Sequence, residues 1–151
     1  HPRAMTYAAL HGPQLKQSWY FGLFALPGLV EAVVRFRPDS FDVSMRKGGM
    51  SAEDVARLHA EVVDDGALPG ALAWYRALVL SVPRVGPIRV PTTYVWSDRD
   101  VALSREAAQD CGRHVDADYE LVVLKGISHW IPGQAPDALA AAVLARIRSV
   151  A

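Results

Sequence analysis

The sequence predicts an α/β fold whose parallel sheet is incomplete. Two short runs rich in β-branched and aromatic residues, at 92–96 and 119–124, read as buried strands. A helical stretch separates them and another follows from Pro136, so the second part of the chain reads strand–helix–strand–helix. Everything before about residue 85 has helical periodicity instead. Two strands joined by a helix imply a right-handed parallel crossover. Such strands need cover on both faces, and one crossover with one further helix does not make a stable sheet alone. The expected organisation is a helical domain over 1–85 and part of an α/β core over 86–151.

The elements follow in order. Residues 4–26 carry apolar and aromatic side chains at helical spacing and end at Pro27 and Gly28. A short helix over 28–36 stops at Arg37, because Pro38 excludes the residue before it from the α region. Ser51 suits a helix N-cap, with Glu53 and Asp54 at the positive end of the dipole. Val55, Leu58, Val62 and Val63 then mark one face. Pro69 and Gly70 open another helix, with Leu72, Tyr75, Leu78 and Val79 on its apolar side. After the first strand, residues 97–100 form a loop, and Ser104 caps a helix over about 104–114. Residues 125–129 leave the second strand as a loop. Pro136 is a favoured first helical residue, and Leu139, Val143, Leu144 and Ile147 should face inward.

Composition narrows the function. Of 151 residues, 51% are apolar and 21% charged, which is globular composition, and 16 basic residues balance 16 acidic ones. No basic run suggests nucleic acid or an anionic membrane; the pair Arg46 and Lys47 reads as a solvated turn. No apolar stretch reaches the roughly 20 residues a membrane span needs. The single cysteine, Cys111, forms no intrachain disulfide and favours a reducing, cytoplasmic setting. The chain opens on His1 and Pro2 with no signal-like segment, as an internal fragment or processed product would.

In open α/β sheets the reactive residues gather beyond the carboxyl ends of the strands. Asp98 and Asp100 follow the first strand, and His129 follows the second. A carboxylate beside an imidazole holds its tautomer and stabilises the imidazolium formed during base catalysis. Asp98 fits an ordinary turn. The order strand–Asp–helix–strand–His–helix is that of the last two triad members of α/β-hydrolases. Val95, Trp96, Ser97, Asp98, Arg99 and Asp100 resemble the acid loop of that superfamily, in which the second Asp is the acid. Gly126, Ile127, Ser128, His129, Trp130, Ile131 and Pro132 resemble its histidine loop. The resemblance covers 86–151 and implies Asp100 and His129 as catalytic residues. Of the other histidines, His1 is terminal, His11 lies beside Gly12 and Pro13, His59 is on a helix face, and His114 is near a helix C-terminus. None has metal-ligand spacing with a third ligand, so neither metal nor other cofactor is expected.

The helical first part resembles the lid that α/β-hydrolases insert into the core, in particular that of epoxide hydrolases. The segment Ser18, Trp19, Tyr20 through Phe24, Pro27 and Gly28 is similar to the one holding the first lid tyrosine. Trp74, Tyr75 and Arg76 are similar to the one holding the second. The resemblance implies Tyr20 and Tyr75 as a pair of proton donors, although each ring could equally serve packing. Trp19, Phe24, Leu26 and Trp130 are candidates to line an apolar pocket for a small substrate. No nucleophile elbow of the Gly-x-Ser-x-Gly kind occurs in the chain. The resemblance therefore implies an epoxide hydrolase that forms a diol through an alkyl-enzyme ester, with its nucleophile, expected to be Asp with Ser as the alternative, on an N-terminal portion of the same protein, and an inactive chain without it. A dehalogenase or a serine esterase of the same fold stays open, as does a non-catalytic binding fragment. So does the oligomeric state, a homo-oligomer included.

Overall fold

The computed structural model describes residues 1–80 and 85–150, the side chains of residues 78–80 excepted. The apolar positions expected at Leu78 and Val79 lie outside the described side chains. The chain folds as two compact units. The described residues of one are 1–17 and 85–150, and those of the other are 18–80.

The first unit is built on two parallel strands, β1 (Thr92–Arg99) and β2 (Tyr119–Ser128). Thr92 pairs with Tyr119 and the ladder runs in step to Ser97 and Leu124; after a register shift, Arg99 pairs with Ser128. Both strands outrun the expected ends at 96 and 124, so residues 97–99 and 125–128 are strand, not loop. Side-chain hydrogen bonds that no periodicity reveals hold this last part, chief among them Ser97 Oγ donating to the Ser128 carbonyl at 2.7 Å. An isolated parallel bridge between Ile88 and Val115 precedes the ladder.

Between the strands lies α8 (Arg105–Asp110), which continues as a 3₁₀ turn, Cys111–His114. Ser104 caps it as expected, its Oγ accepting from the Ala107 amide at 3.2 Å. After β2 come α9 (Ile131–Gln134) and α10 (Pro136–Val150). Arg146 reaches from α10 to Thr93 Oγ1 at 2.7 Å and to the Thr92 carbonyl at 3.3 Å. Leu139 is half-buried, but Val143, Leu144 and Ile147, expected to face inward, are 49%, 47% and 55% exposed. Two strands offer too little surface to cover the whole apolar face of a 15-residue helix.

The helices α1 (Pro2–His11) and α2 (Gln14–Gln17) belong to this unit and not, as expected, to the helical domain. Ala4 and Ala8, one turn apart on α1, are wholly buried, and α1 packs on α8, where Ala107 and Ala108 are buried. Small side chains on both helices permit that close approach. The single helix expected over 4–26 is broken at Gly12, whose backbone is extended, and at Pro13, which supplies no amide.

The second unit consists of α3 (Tyr20–Ala25), α4 (Leu29–Phe36), α5 (Asp39–Lys47), α6 (Ala52–His59), a wider π-type turn (Ala60–Asp64) and α7 (Leu68–Leu80). The break at Pro27 and Gly28 is as the sequence predicts. Gly28 has φ +77°, a left-handed conformation that side chains disfavour, so a glycine is required where α3 gives way to α4. The helix α4 ends at Phe36, before Arg37 and Pro38, and Ser51 caps α6 by accepting from the Asp54 amide at 3.1 Å. The helix α5 has no counterpart in the expected elements. Arg46 and Lys47 occupy its last turn, exposed, where a cation suits the dipole, and not a free turn.

Among the described residues Val34, Val55 and Leu72 are the buried apolar side chains of this unit. Polar ties supplement them. His59 Nδ1 lies 2.7 Å from Asp42 Oδ1, joining α6 to α5. Arg76 on α7 donates from Nε to the Phe24 carbonyl at 3.2 Å and from Nη2 to Glu31 Oε1 at 2.8 Å, joining three helices. Arg76→Met keeps the aliphatic stem but strands the Glu31 carboxylate, which is only 24% exposed. We expect it to destabilise the protein by about 1–3 kcal/mol, read as a lower urea midpoint. An unchanged midpoint would show that the tie carries no weight. Among the described residues no helix is long and apolar enough to cross a membrane.

Candidate active site

The acid loop begins where β1 ends. Asp100 is the residue after Arg99, and its Oδ1 accepts from the amides of Ala102 at 2.7 Å and Leu103 at 2.9 Å. These bonds turn the chain back on the carboxylate, whose side chain is only 4% exposed. The loop is braced by Gln14, a buried residue of α2. Its Nε2 donates to the Ala102 carbonyl and its Oε1 accepts from the Ser104 amide, both at 2.8 Å. Sequence reasoning missed Gln14. A lone glutamine 88 residues from its partner has no local signal.

The histidine loop leaves β2 beside it. Asp98 is not idle: its Oδ1 accepts from the Gly126 amide at 2.7 Å, and Gly126 has φ +75°. Asp98 thus holds a left-handed bend in β2 just before His129, a structural part in keeping with its expected turn-like character. His129 Nδ1 lies 3.0 Å from both carboxylate oxygens of Asp100. The structure therefore brings together the two residues the sequence singled out. With Nδ1 donating to Asp100, Nε2 is left as the lone-pair nitrogen of a ring 36% exposed.

The electrostatics follow from that contact. For His129, the hydrogen bond to Asp100 raises the imidazole pKa above 6.5 and outweighs the opposing effect of burial. For Asp100, burial works to raise the carboxyl. The bond from His129 and the Leu103 and Ala102 amides together bring it below its usual 3.8. Protonated His129 contributes stability that is fully present below 6.5 and is lost as pH rises through its raised value. Ionised Asp100 contributes stability present above 3.8 and lost as pH falls through its lowered value. A buried carboxylate orienting a partly exposed imidazole can serve as a general base toward water.

Trp130 stands edge-on to His129, ring centroids 5.2 Å apart at 80°. Its Nε1 is buried and takes no hydrogen bond among the described residues. The other histidines are held elsewhere. His114 Nε2 lies 3.2 Å from Asp110, and His11 Nδ1 lies 3.0 Å from the Tyr7 carbonyl, in the unit of the sheet. Among the described residues no three His, Cys, Asp or Glu side chains are grouped so as to hold a metal ion.

The second unit brings Tyr20 and Tyr75 together. Their ring centroids are 6.1 Å apart, edge to face, and Phe21 and Phe24 complete the cluster. Tyr75 lies 5.2 Å from Phe21 and 4.8 Å from Phe24, while Tyr20 lies 5.0 Å and 5.3 Å from the same rings. Tyr20 is the first residue of α3, and Tyr75 precedes the Arg76 that clamps α7 to that helix. Of the candidate lining residues here, Phe24 packs inside the cluster. Trp19 and Leu26 are 70% and 54% exposed.

No protein-family profile matches the chain. It is 34% identical over 144 residues to the AB hydrolase superfamily protein YfhM of Bacillus subtilis (strain 168), across 90% of this chain and 50% of that protein. Among solved structures it superposes on wild-type Cfl2 of Burkholderia cenocepacia with a TM-score of 0.71 and 21% identity, over 87% of this chain and 48% of that one. It superposes on a structure of the novel epoxide hydrolases of the α/β-hydrolase superfamily from metagenomes of hot environments with a TM-score of 0.69 and 22% identity. That match covers 91% of this chain and 52% of the other. The fold is that of the C-terminal half of an α/β-hydrolase. The chain is similar to a protein of the α/β-hydrolase superfamily and spans about half the length of the relatives it matches.

Proposed function

We propose that the protein is an epoxide hydrolase that converts a small apolar epoxide to a diol through an alkyl-enzyme ester. The observation that carries this reading is the Tyr20–Tyr75 pair, two phenols with rings 6.1 Å apart on separate helices. Ring opening leaves an alkoxide, a strong base, and two phenols can bond the epoxide oxygen and deliver its proton. The similarity to an epoxide hydrolase structure supports the reading at the level of fold.

The nucleophile, expected to be an Asp, belongs in this proposal to an N-terminal portion of the same protein. Its carboxylate oxygen attacks an epoxide carbon, the C–O bond breaks, and a tyrosine proton passes to the departing oxygen. His129, held by Asp100, then takes a proton from water, whose oxygen attacks the acyl carbon of the ester. As the intermediate collapses His129 returns that proton to the departing diol, which carries the carboxylate's oxygen; the carboxyl keeps the oxygen of water, and its remaining proton restores the tyrosine.

That balance sets the test. A single turnover of styrene oxide by the full-length protein in ¹⁸O-water should give unlabelled diol and a singly labelled carboxylate. Label in the first-formed diol would mean direct attack by water and would overturn the ester mechanism. Absence of epoxide turnover, with halide release from an alkyl halide or hydrolysis of an ester, would transfer the protein to one of the other activities of the fold.

A further inference from the structure

Ser128 sits immediately before the general base, and both of its backbone polar groups take a side-chain hydrogen bond. Its amide donates to Gln134 Oε1 at 2.8 Å, and its carbonyl accepts from Ser97 Oγ at 2.7 Å. Ser97 is wholly buried and Ser128 nearly so, at 9% exposure. The two bonds act on the two peptide planes that flank the Ser128 Cα. One comes from β1, from Ser97, the last residue paired in step before the register shift, and the other from α9, which follows the loop. A third bond, from the Trp130 amide to Ser128 Oγ at 3.3 Å, closes the turn on the far side of His129. The backbone dihedrals of Ser128 are thereby fixed from outside the loop, and they determine where the His129 ring is delivered.

We infer that Ser97 and Gln134 are positioning residues for His129, locking the Ser128 peptides so that Nδ1 meets Asp100 and Nε2 faces the water to be activated. Neither side chain touches the reacting atoms. Gln134 offers a neutral acceptor, so it holds the amide without placing another full charge in the histidine loop.

This inference deepens the epoxide reading and rests on it for its kinetic arm. Formation of the alkyl ester does not use His129, whereas its hydrolysis does. In the full-length protein, Ser97→Ala and Gln134→Leu should each slow hydrolysis of the ester formed from styrene oxide by about 10- to 100-fold. Ester formation should stay within about twofold of the unaltered protein. Gln134→Glu keeps the acceptor oxygen and should restore hydrolysis to within about fivefold, on the same reasoning. A second readout needs no substrate. With the Asp100 contact loosened, the His129 titration followed by NMR should fall back toward 6.5 in Ser97→Ala and Gln134→Leu, but not in Gln134→Glu.

Equal losses in both kinetic steps, or no loss in either, would overturn the inference. If the Leu variant fails to fold, the Ser97→Ala and Gln134→Glu pair decides by the same two measurements. Failure of the epoxide reading is separable: the unaltered protein would then form no ester, and the His129 titration alone would decide. A shift in the two disruptive variants supports the positioning role, and an unshifted titration overturns it.

Discussion

A full-length His129→Gln protein should take up one equivalent of epoxide and stop. The ester forms because the attacking carboxylate and the donating phenols are untouched. It persists because no base remains to activate water. Steady-state turnover should fall by about 10²–10⁴-fold, and intact mass should rise by the mass of the epoxide. A protein that loses turnover without gaining mass would place His129 earlier in the reaction or outside it. The pH dependence has a definite sign. Only neutral imidazole accepts a proton, and the Asp100 bond raises the pKa above 6.5. Ester hydrolysis should therefore fall as pH drops through a value above 6.5, while ester formation does not follow that limb. Asp100→Asn removes the cause of the upward shift and leaves burial, which lowers the imidazole pKa. The acid limb should move to lower pH while the maximal rate drops by about 10⁴-fold, because the amide no longer enforces the useful tautomer. An acid limb that stays in place in Asp100→Asn would mean that the limb belongs to another group.

The opposite pattern is expected of the tyrosines. Tyr20→Phe and Tyr75→Phe each remove one hydroxyl and keep the ring, so the aromatic cluster with Phe21 and Phe24, at centroid distances of 4.8–6.1 Å, stays filled. Stability should change little. Ester formation should slow by about 10²–10³-fold for each single variant, the usual loss when one donor to a developing oxyanion is removed. The double variant should form no measurable ester, since the alkoxide would then leave without a proton. Hydrolysis of ester already formed should be unaffected, which separates these residues from His129. Full epoxide turnover in the double variant would reduce the pair to packing and remove the observation on which the epoxide reading stands.

The parts of the site that lie at the ends of strongly patterned elements were legible in the residues. Asp100 and His129 each follow a short β-branched run, and a parallel pair delivers both loops to one edge, so their meeting at 3.0 Å follows from order alone. Tyr20 and Tyr75 were marked by the residues around them, not by periodicity. What surrounds these residues was not legible. Gln14 braces the acid loop from 88 residues away, and Ser97 and Gln134 hold Ser128 through side chains that carry no pattern. The helix α5 escaped notice because polar residues dominate it and few of its side chains are needed inside.

By itself the sequence determined the class of fold, the two strands, several helix boundaries and which carboxylate and imidazole to expect side by side. Those depend on local backbone preferences: β-branched runs, Ser51 and Ser104 as caps, and breaks at Pro27 and Pro38. Only the tertiary structure decided which unit each helix joins and how far the strands run. Residues 1–17 follow Ala4, Ala8 and Gln14 onto the sheet unit, because burial against α8 and the acid loop outweighs their helical likeness to the segment that follows. That Asp98 braces Gly126 was likewise decided by the tertiary structure. The sequence set Asp100 apart from Asp98, and the pairing of β1 with β2 gives Asp98 its partner, the Gly126 amide.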